Sequence, residues 1–291
     1  MLYDTIIIGT GPAGISAALT LKIHNKSLLL LGSKNLSEKI TKAEKISNYP
    51  GFPSVTGERL NSAFKAHLEE MQIEITEKMA TSVISMGDHY AVTAQTEFYE
   101  TKALIFATGV TSAATVKNEE KFLGKGLSYC ATCDGGLYKD QKIAVVSTSP
   151  RFLHEVKYLA ELAETLYFFP AYKVPPDTVL SDSVKIINSF PESAEGDKRL
   201  SEIVLKNGDR VEVNALFCLR DCISPGTLMP ELEVRDGHIV TDRSMKTNLK
   251  GCFACGDCTG RPYQYVKAAG EGNIAAHGVI EYLAAFDTVS E

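Results

Sequence analysis

The residues Gly9-Thr10-Gly11-Pro12-Ala13-Gly14, set between an apolar run and a helical one, constrain this chain more than any other feature. Tyr3 to Gly9 reads as a buried strand, Pro12 to about Asn25 as a helix, and Ser27 to Leu31 as a second, leucine-rich strand. Glycines at these positions let the backbone turn tightly, approach a pyrophosphate and pack the helix close to the sheet. With a strand before it and a helix after it, the short motif reads as a dinucleotide-binding βαβ unit. The second strand ends in Leu31-Gly32-Ser33, with no acid to hold a ribose hydroxyl, so the adenosine end must be read by other groups.

The same outline returns in the middle of the chain. Lys142 to Ser147 is a strand, Arg151 to Thr165 carries Phe152, Val156, Leu159 and Ala163 at helical spacing, and Leu166 to Phe169 is a short strand. Here the turn is Ser147-Thr148-Ser149-Pro150, in which side chains would occupy the space a pyrophosphate needs. Between the two units, Ala103 to Phe106 leads into the small-residue turn Ala107-Thr108-Gly109, and a polar stretch through Lys121 marks a domain crossing. Ser201 to Leu205 and Arg210 to Leu219 read as strands around an Asn207-Gly208 turn, and Ala268 to Ala285 as a helix. Met245 to Cys252 reads as the return crossing. The expected fold class is α/β with two Rossmann-like domains: a discontinuous one made of 1–112 and 246–291, and a smaller one, 113–245, inserted in it.

The net charge of -6 offers no overall positive field for nucleic acid. No apolar run is long enough to cross a bilayer, and the opening residues lack a basic segment and a cleavage site, so the expectation is a cytoplasmic protein without a membrane partner. Structural disulfides are rare in that compartment. Cys130-Ala131-Thr132-Cys133-Asp134 is therefore read as a redox dithiol with a carboxylate to move protons, half a zinc site being the alternative. The run Cys252, Cys255 and Cys258 has metal-ligand spacing, but a fourth ligand would have to be Cys218 or Cys222 of the inserted part, and cysteine also serves as a small apolar residue at a strand end. No metal is expected there, and the roles of these five cysteines stay open. No histidine pair has metal spacing. Lys34, Lys39, Lys42 and Lys45, interleaved with Glu38 and Glu44, read as a solvated face or as a docking patch for an acidic electron carrier.

Taken in order, Gly9 to Gly14, Asn48-Tyr49-Pro50-Gly51, Ala107-Thr108-Gly109, Cys130 to Asp134 and Gly256-Asp257 give the chain a resemblance to the low-molecular-weight thioredoxin reductase family over nearly its whole length. The resemblance implies FAD held by the first and last segments and a homodimer. The cofactor-binding residues it implies are Gly9, Gly11, Pro12, Ala13, Gly14, Gly32, Ser33, Asn48, Thr108, Gly109, Gly256 and Asp257, together with Tyr263, Gln264 and Tyr265. It also implies that Cys133 faces the flavin, that Cys130 exchanges with the disulfide of thioredoxin, and that Asp134 is the acid–base group.

Members that use NADPH carry a glycine-rich turn, a basic cluster and an Ile-Gly turn in the inserted domain. Here those positions read Ser147-Thr148-Ser149-Pro150, Phe168-Phe169-Pro170-Ala171 and Leu219-Arg220-Asp221-Cys222. Tyr263-Gln264-Tyr265 stands where NADPH members usually show Arg-Gln-Ala. This pattern resembles the ferredoxin-dependent flavin branch, which keeps FAD and the dithiol but takes electrons from reduced ferredoxin. The expected activity is thus reduction of thioredoxin through FAD and the Cys130/Cys133 disulfide, with ferredoxin as donor. Two alternatives are an NADPH-dependent enzyme with an atypical site and a flavin redox sensor that does not turn over. The residues on their own stop at a flavin-linked dithiol enzyme with a non-nicotinamide donor.

Overall fold

The structure, a computed structural model, describes residues 1–41, 43–110, 116–129, 131–220 and 224–289, apart from the side chains of Glu38, Glu120, Cys133, Asp287, Thr288 and Val289. The chain divides into two compact units, Met1–Thr111 with Ser224–Glu291, and Ser112–Ile223.

The first unit opens with β1 (Leu2–Ile8), α1 (Pro12–Ile23) and β2 (Leu28–Leu31). Ile6, Ile7, Leu30 and Leu31 have almost no exposed surface, as expected of parallel strands covered on both faces. Pro12 starts α1 at the position where its missing N–H costs no hydrogen bond, and Ile15, Ala17, Ala18 and Leu21 bury one side of the helix. Next come α2 (Glu38–Thr41), α3 (Gly57–Glu70), β3 (Ile75–Thr76), and the antiparallel β4 (Ala80–Ser85), β5 (Tyr90–Ala94) and β6 (Glu97–Phe106).

In the second unit α4 (Glu119–Phe122), β7 (Leu127–Ser128) and α5 (Ala131–Asp134) precede the repeated βαβ, which is β8 (Lys142–Ser147), α6 (Leu153–Leu162) and β9 (Thr165–Pro170). Then follow β10 (Val184–Ile186), β11 (Pro191–Gly196), β12 (Leu200–Leu205), β13 (Arg210–Glu212) and β14 (Ala215–Leu219). Among the described residues the parallel sheet has the order β10-β9-β8-β14-β7, and β11-β12-β13 form a separate antiparallel sheet. Val145, Phe168 and Phe217 from the parallel sheet meet Val156 and Leu159 from α6 in one core.

One expected strand, Arg210 to Leu219, is two strands in different sheets. Asn214 causes the break: its N–H donates to the Lys142 carbonyl at 2.8 Å and its Oδ1 accepts from the Lys142 N–H at 3.2 Å. That pair draws the chain out of the hairpin and into register beside β8. The Asn207-Gly208 turn is found between β12 and β13, with Gly208 at φ 88°.

The return crossing also differs from the expected Met245 to Cys252. Residues 224–245 belong to the first unit. They form α7 (Pro225–Leu228), which packs on β4, and a hairpin of β15 (Val234–Arg235) and β16 (His238–Ile239). Leu228, Met229, Leu232 and Ile239 are buried there, which fixes the stretch to that unit. The unit closes with β17 (Cys252–Ala254), paired in parallel with β6, and α8 (Tyr265–Val289), which lies along α1. Its sheet has the order β3-β2-β1-β6-β5-β4. Among the described residues no helix is long and apolar enough to cross a membrane.

Candidate active site

In the first unit β1, β6 and β17 lie side by side and parallel. Gly9–Gly14, Ala107–Gly109 and Cys255–Gly260 follow their C-terminal ends. The chain leaves β1 through α1 toward β2, while β6 lies on the other side of β1, so a topological switch point falls here. Gly9 adopts φ 120°, and a Cβ on it would overlap the Ala107 carbonyl. A Cβ on Gly14 would overlap the Gly9 carbonyl, so the first turn of α1 is pressed onto the strand end. Gly11 caps the helix with no side-chain bond, and a Cβ there would meet nothing within 4 Å. The unpaired N–H groups of α1 thus open onto free space with no acidic residue in the first turn. This mouth suits a pyrophosphate.

Thr10 holds the next part. Its hydroxyl donates to the Ser33 carbonyl at 3.0 Å and accepts from the Ser33 N–H at 3.1 Å, tying the glycine turn to the end of β2. Gly32 leaves the room Thr10 fills. The sequence reading named Gly32 and Ser33 but missed Thr10, because the fingerprint leaves that position unspecified.

Gly256 and Asp257 follow β17. The Gly256 N–H donates to Glu271 at 2.8 Å, and Lys267 donates to the carbonyls of Gly256 and Gly260 while pairing with Glu271 at 3.0 Å. Burial pushes the Asp257 carboxyl up, and Lys39 and Lys267 work against it. Asn48 Nδ2 donates to Gln264 at 2.8 Å, Tyr265 donates to the Lys39 carbonyl at 3.0 Å, and Tyr263 Oη lies 2.7 Å from His238 Nε2. Asn48, Tyr263, Gln264 and Tyr265 line a cavity of about 270 Å³ together with Lys45 and Ser47.

Cys252, Cys255 and Cys258 are buried in β17 and the turn after it. The Cys258 thiol points at the carbonyls of Phe106 and Cys255, at 3.4 and 3.2 Å. Burial pushes the Cys252 thiol up to about 12 and the Cys255 thiol up as well, which keeps both protonated and poor as ligands or nucleophiles. Among the described residues no group of three or more His, Cys, Asp or Glu is arranged to hold a metal. Cys222 lies outside the described residues, as do Asp221 and Lys42.

The dithiol segment belongs to the second unit. Cys130 and the side chain of Cys133 lie outside the description; the Cys133 backbone is in α5. Ser128 Oγ donates to Asp134 Oδ2 at 2.6 Å, a short charge-assisted bond that fixes the carboxylate. A second carboxylate, Glu155 of α6, accepts the Ala131 N–H. Burial raises it, with His154 and Arg151 opposing. Beneath this segment Glu119 is buried with Arg220 as an ion pair; Tyr129 donates to Glu119 at 2.9 Å, its ring lies under the Arg220 guanidinium, and the Cys218 thiol sits 3.8 Å from the same carboxylate.

The turn of the second βαβ is closed by its own side chains. Ser147 Oγ donates to the Ser149 carbonyl at 3.1 Å, Ser149 Oγ accepts from the Arg151 N–H at 3.5 Å, and the Thr148 N–H donates to the Leu219 carbonyl at 3.0 Å. Pro150 removes one N–H that an anion would use.

A dinucleotide crevice in one α/β unit and a dithiol segment in the other define a class of redox protein. A profile of the pyridine nucleotide-disulphide oxidoreductase family matches residues 3–147 and 177–272, and the chain belongs to that family. Within it the chain is a flavoprotein oxidoreductase of the thioredoxin reductase type, with FAD as its cofactor. The thioredoxin reductase of Mycoplasma pneumoniae is 30% identical over 300 residues, covering 95% of this chain and 93% of that protein. A ferredoxin-flavin thioredoxin reductase from Clostridium acetobutylicum superposes with a TM-score of 0.91 at 42% identity, covering 100% of this chain and 99% of its own. A thioredoxin reductase from Gloeobacter violaceus shares the fold at a TM-score of 0.79 and 24% identity, with 98% and 95% covered.

Proposed function

We propose that this protein reduces the disulfide of thioredoxin through FAD and a Cys130/Cys133 disulfide, with reduced ferredoxin as electron donor. Bound FAD supplies the chemistry the side chains lack, accepting electrons singly or in pairs and passing on a pair. The residues that hold it are Gly9 to Gly14, Gly32, Ser33, Asn48, Thr108, Gly109, Gly256, Asp257 and Tyr263 to Tyr265. In the reduced dithiol Cys130 is the exchange thiol. Its thiolate attacks a sulfur of the thioredoxin disulfide and expels the other sulfur, which takes a proton. Cys133 then attacks the Cys130 sulfur of the mixed disulfide and expels the thioredoxin sulfur, which takes a proton, so the Cys130–Cys133 bond is regenerated and reduced thioredoxin is released. Asp134, held by Ser128, handles the proton. A homodimer is part of this reading on the resemblance alone.

The observation that carries the donor assignment is the closed turn at Ser147 to Pro150, where serine hydroxyls and a proline take the place of a phosphate cradle. The family profile also passes over residues 148–176. The Clostridium acetobutylicum protein, similar over the whole chain, is a ferredoxin-flavin enzyme. A plant-type ferredoxin near about −400 mV lies below a thioredoxin near about −270 mV, so transfer of two electrons is downhill by roughly 6 kcal/mol.

The test is anaerobic mixing of the yellow holoprotein with NADPH, with NADH and with reduced ferredoxin while flavin absorbance is followed. Ferredoxin should bleach the flavin and the nucleotides should not. Rapid bleaching by either nucleotide would overturn the donor assignment. For the dithiol, Cys133→Ser should trap thioredoxin on Cys130, detected by mass spectrometry, and a stable adduct only on Cys133 in the converse variant would reverse the roles.

A further inference from the structure

The lysines that the sequence offered as a solvated face or a docking patch differ in what their side chains contact. Lys34, Lys39 and Lys45 are all exposed. Lys39, in α2, is tied down at its tip: its Nζ donates to the Val110 carbonyl, just past β6, at 2.8 Å. Its own carbonyl accepts from the hydroxyl of Tyr265, the first residue of α8. Its charge also bears on Asp257, just past β17. Lys39 therefore stands over the C-terminal ends of β6 and β17.

That is the side of the crevice away from β2. A dinucleotide at a switch point puts its pyrophosphate on the N-terminus of the first helix and its adenosine toward the second strand. The half that lies over β6 and β17 is then the flavin half. Two lysines and one glutamate act on Asp257 there. Lys267 and Glu271 pair with each other, and Lys267 is further directed at Gly256, Thr259 and Gly260. Lys39 has no carboxylate within ion-pair distance among the described residues, and the Val110 carbonyl takes one of its three N–H groups.

We propose that Lys39 presents its ammonium to the flavin half of bound FAD and favours the reduced cofactor over the oxidised one. Reduction adds electron density to the ring system, and a fixed cation beside it stabilises that form more than the neutral oxidised form. In this role Lys39 sets the potential at which the cofactor works. The inference rests on FAD occupying this crevice, which the colour and FAD content of the wild-type protein check separately.

The experiment compares wild type with Lys39→Met, Lys39→Arg and the control Lys34→Met, measuring the midpoint potential of bound FAD against indicator dyes and the dissociation constant of oxidised FAD. Lys39→Met should weaken binding of reduced relative to oxidised FAD at least tenfold, which is a potential about 30 mV more negative for a two-electron couple. Lys39→Arg should restore most of the difference, and Lys34→Met should leave the potential in place. An unchanged potential in Lys39→Met overturns the proposal. So does an equal loss of affinity for both oxidation states, which would put Lys39 on the pyrophosphate, or an equal shift in Lys34→Met, which would make the effect one of overall charge.

Discussion

At the scale of single residues, Glu155 has the clearest consequence for pH. Burial raises its carboxyl in the folded protein, so between the ordinary carboxylate range and the raised one the folded state binds more protons than the unfolded state. Stability from this group is therefore present at low pH and lost as pH rises through that window. Glu155→Gln keeps an acceptor for the Ala131 N–H and removes the buried charge. Its melting temperature should match wild type at about pH 4 and exceed it increasingly toward about pH 7; a gap that narrows with rising pH would contradict this. Nothing in the sequence singled out Glu155. A glutamate beside Lys157 on a helix reads as solvated, and only the packing of α6 on α5 turns it toward the dithiol segment. Thr10 was equally hidden. The glycines around it were legible because their reason is local backbone geometry, whereas its bonds to Ser33 span 23 residues of sequence.

At the scale of elements, the close approach of α1 and α8 is what keeps the cofactor mouth in shape. A Cβ on Gly272 of α8 would overlap the Ala13 carbonyl in the first turn of α1. Gly272→Ala should push the helices apart and weaken FAD binding by an order of magnitude or more, read by titrating apoprotein with FAD. Undiminished affinity would show that the first turn moves freely. The second unit offers a different test, because the Glu119–Arg220 pair is buried on both sides. Arg220→Met leaves a carboxylate without its cation and should cost about 3–5 kcal/mol in denaturant unfolding, whereas adding Glu119→Met should recover much of that loss. The βαβ starts were legible in the sequence because apolar runs of unbroken period spelled them out. The break at Asn214 was not, since it is made by bonds to Lys142, which lies 72 residues away. Nor was the return at Ser224, where Ser224-Pro225-Gly226 is a turn signal but the anchoring comes from Leu228 and Met229 packing into the first unit.

At the scale of the whole molecule, the two units have separate cores. One is built on Ile7, Leu21, Ile105, Phe253 and Val279, the other on Val145, Val156, Phe168 and Phe217. The second unit is also one continuous stretch of chain. Residues 116–220 expressed alone should therefore melt cooperatively and gain nothing from FAD. The full chain in FAD at a hundred times the dissociation constant should gain about 2.7 kcal/mol. A fragment without a cooperative transition would show that its core needs the rest of the chain.

The buried glutamate of the second unit has a further consequence for how such a chain can be assembled and varied. Val116, the first described residue of that unit, donates its N–H to Glu119 at 2.7 Å, and Arg220, the last, pairs with the same carboxylate. The described stretch of the unit thus begins and ends on one side chain. A unit built this way is a cassette: its two ends can be spliced into any exposed loop that opens by a few residues, and joining them to each other closes only a short loop, which carries little entropic penalty. Its host can acquire, exchange or discard it in a single genetic event without rethreading a strand, and new termini at the Asn207-Gly208 turn would leave the parallel sheet uncut.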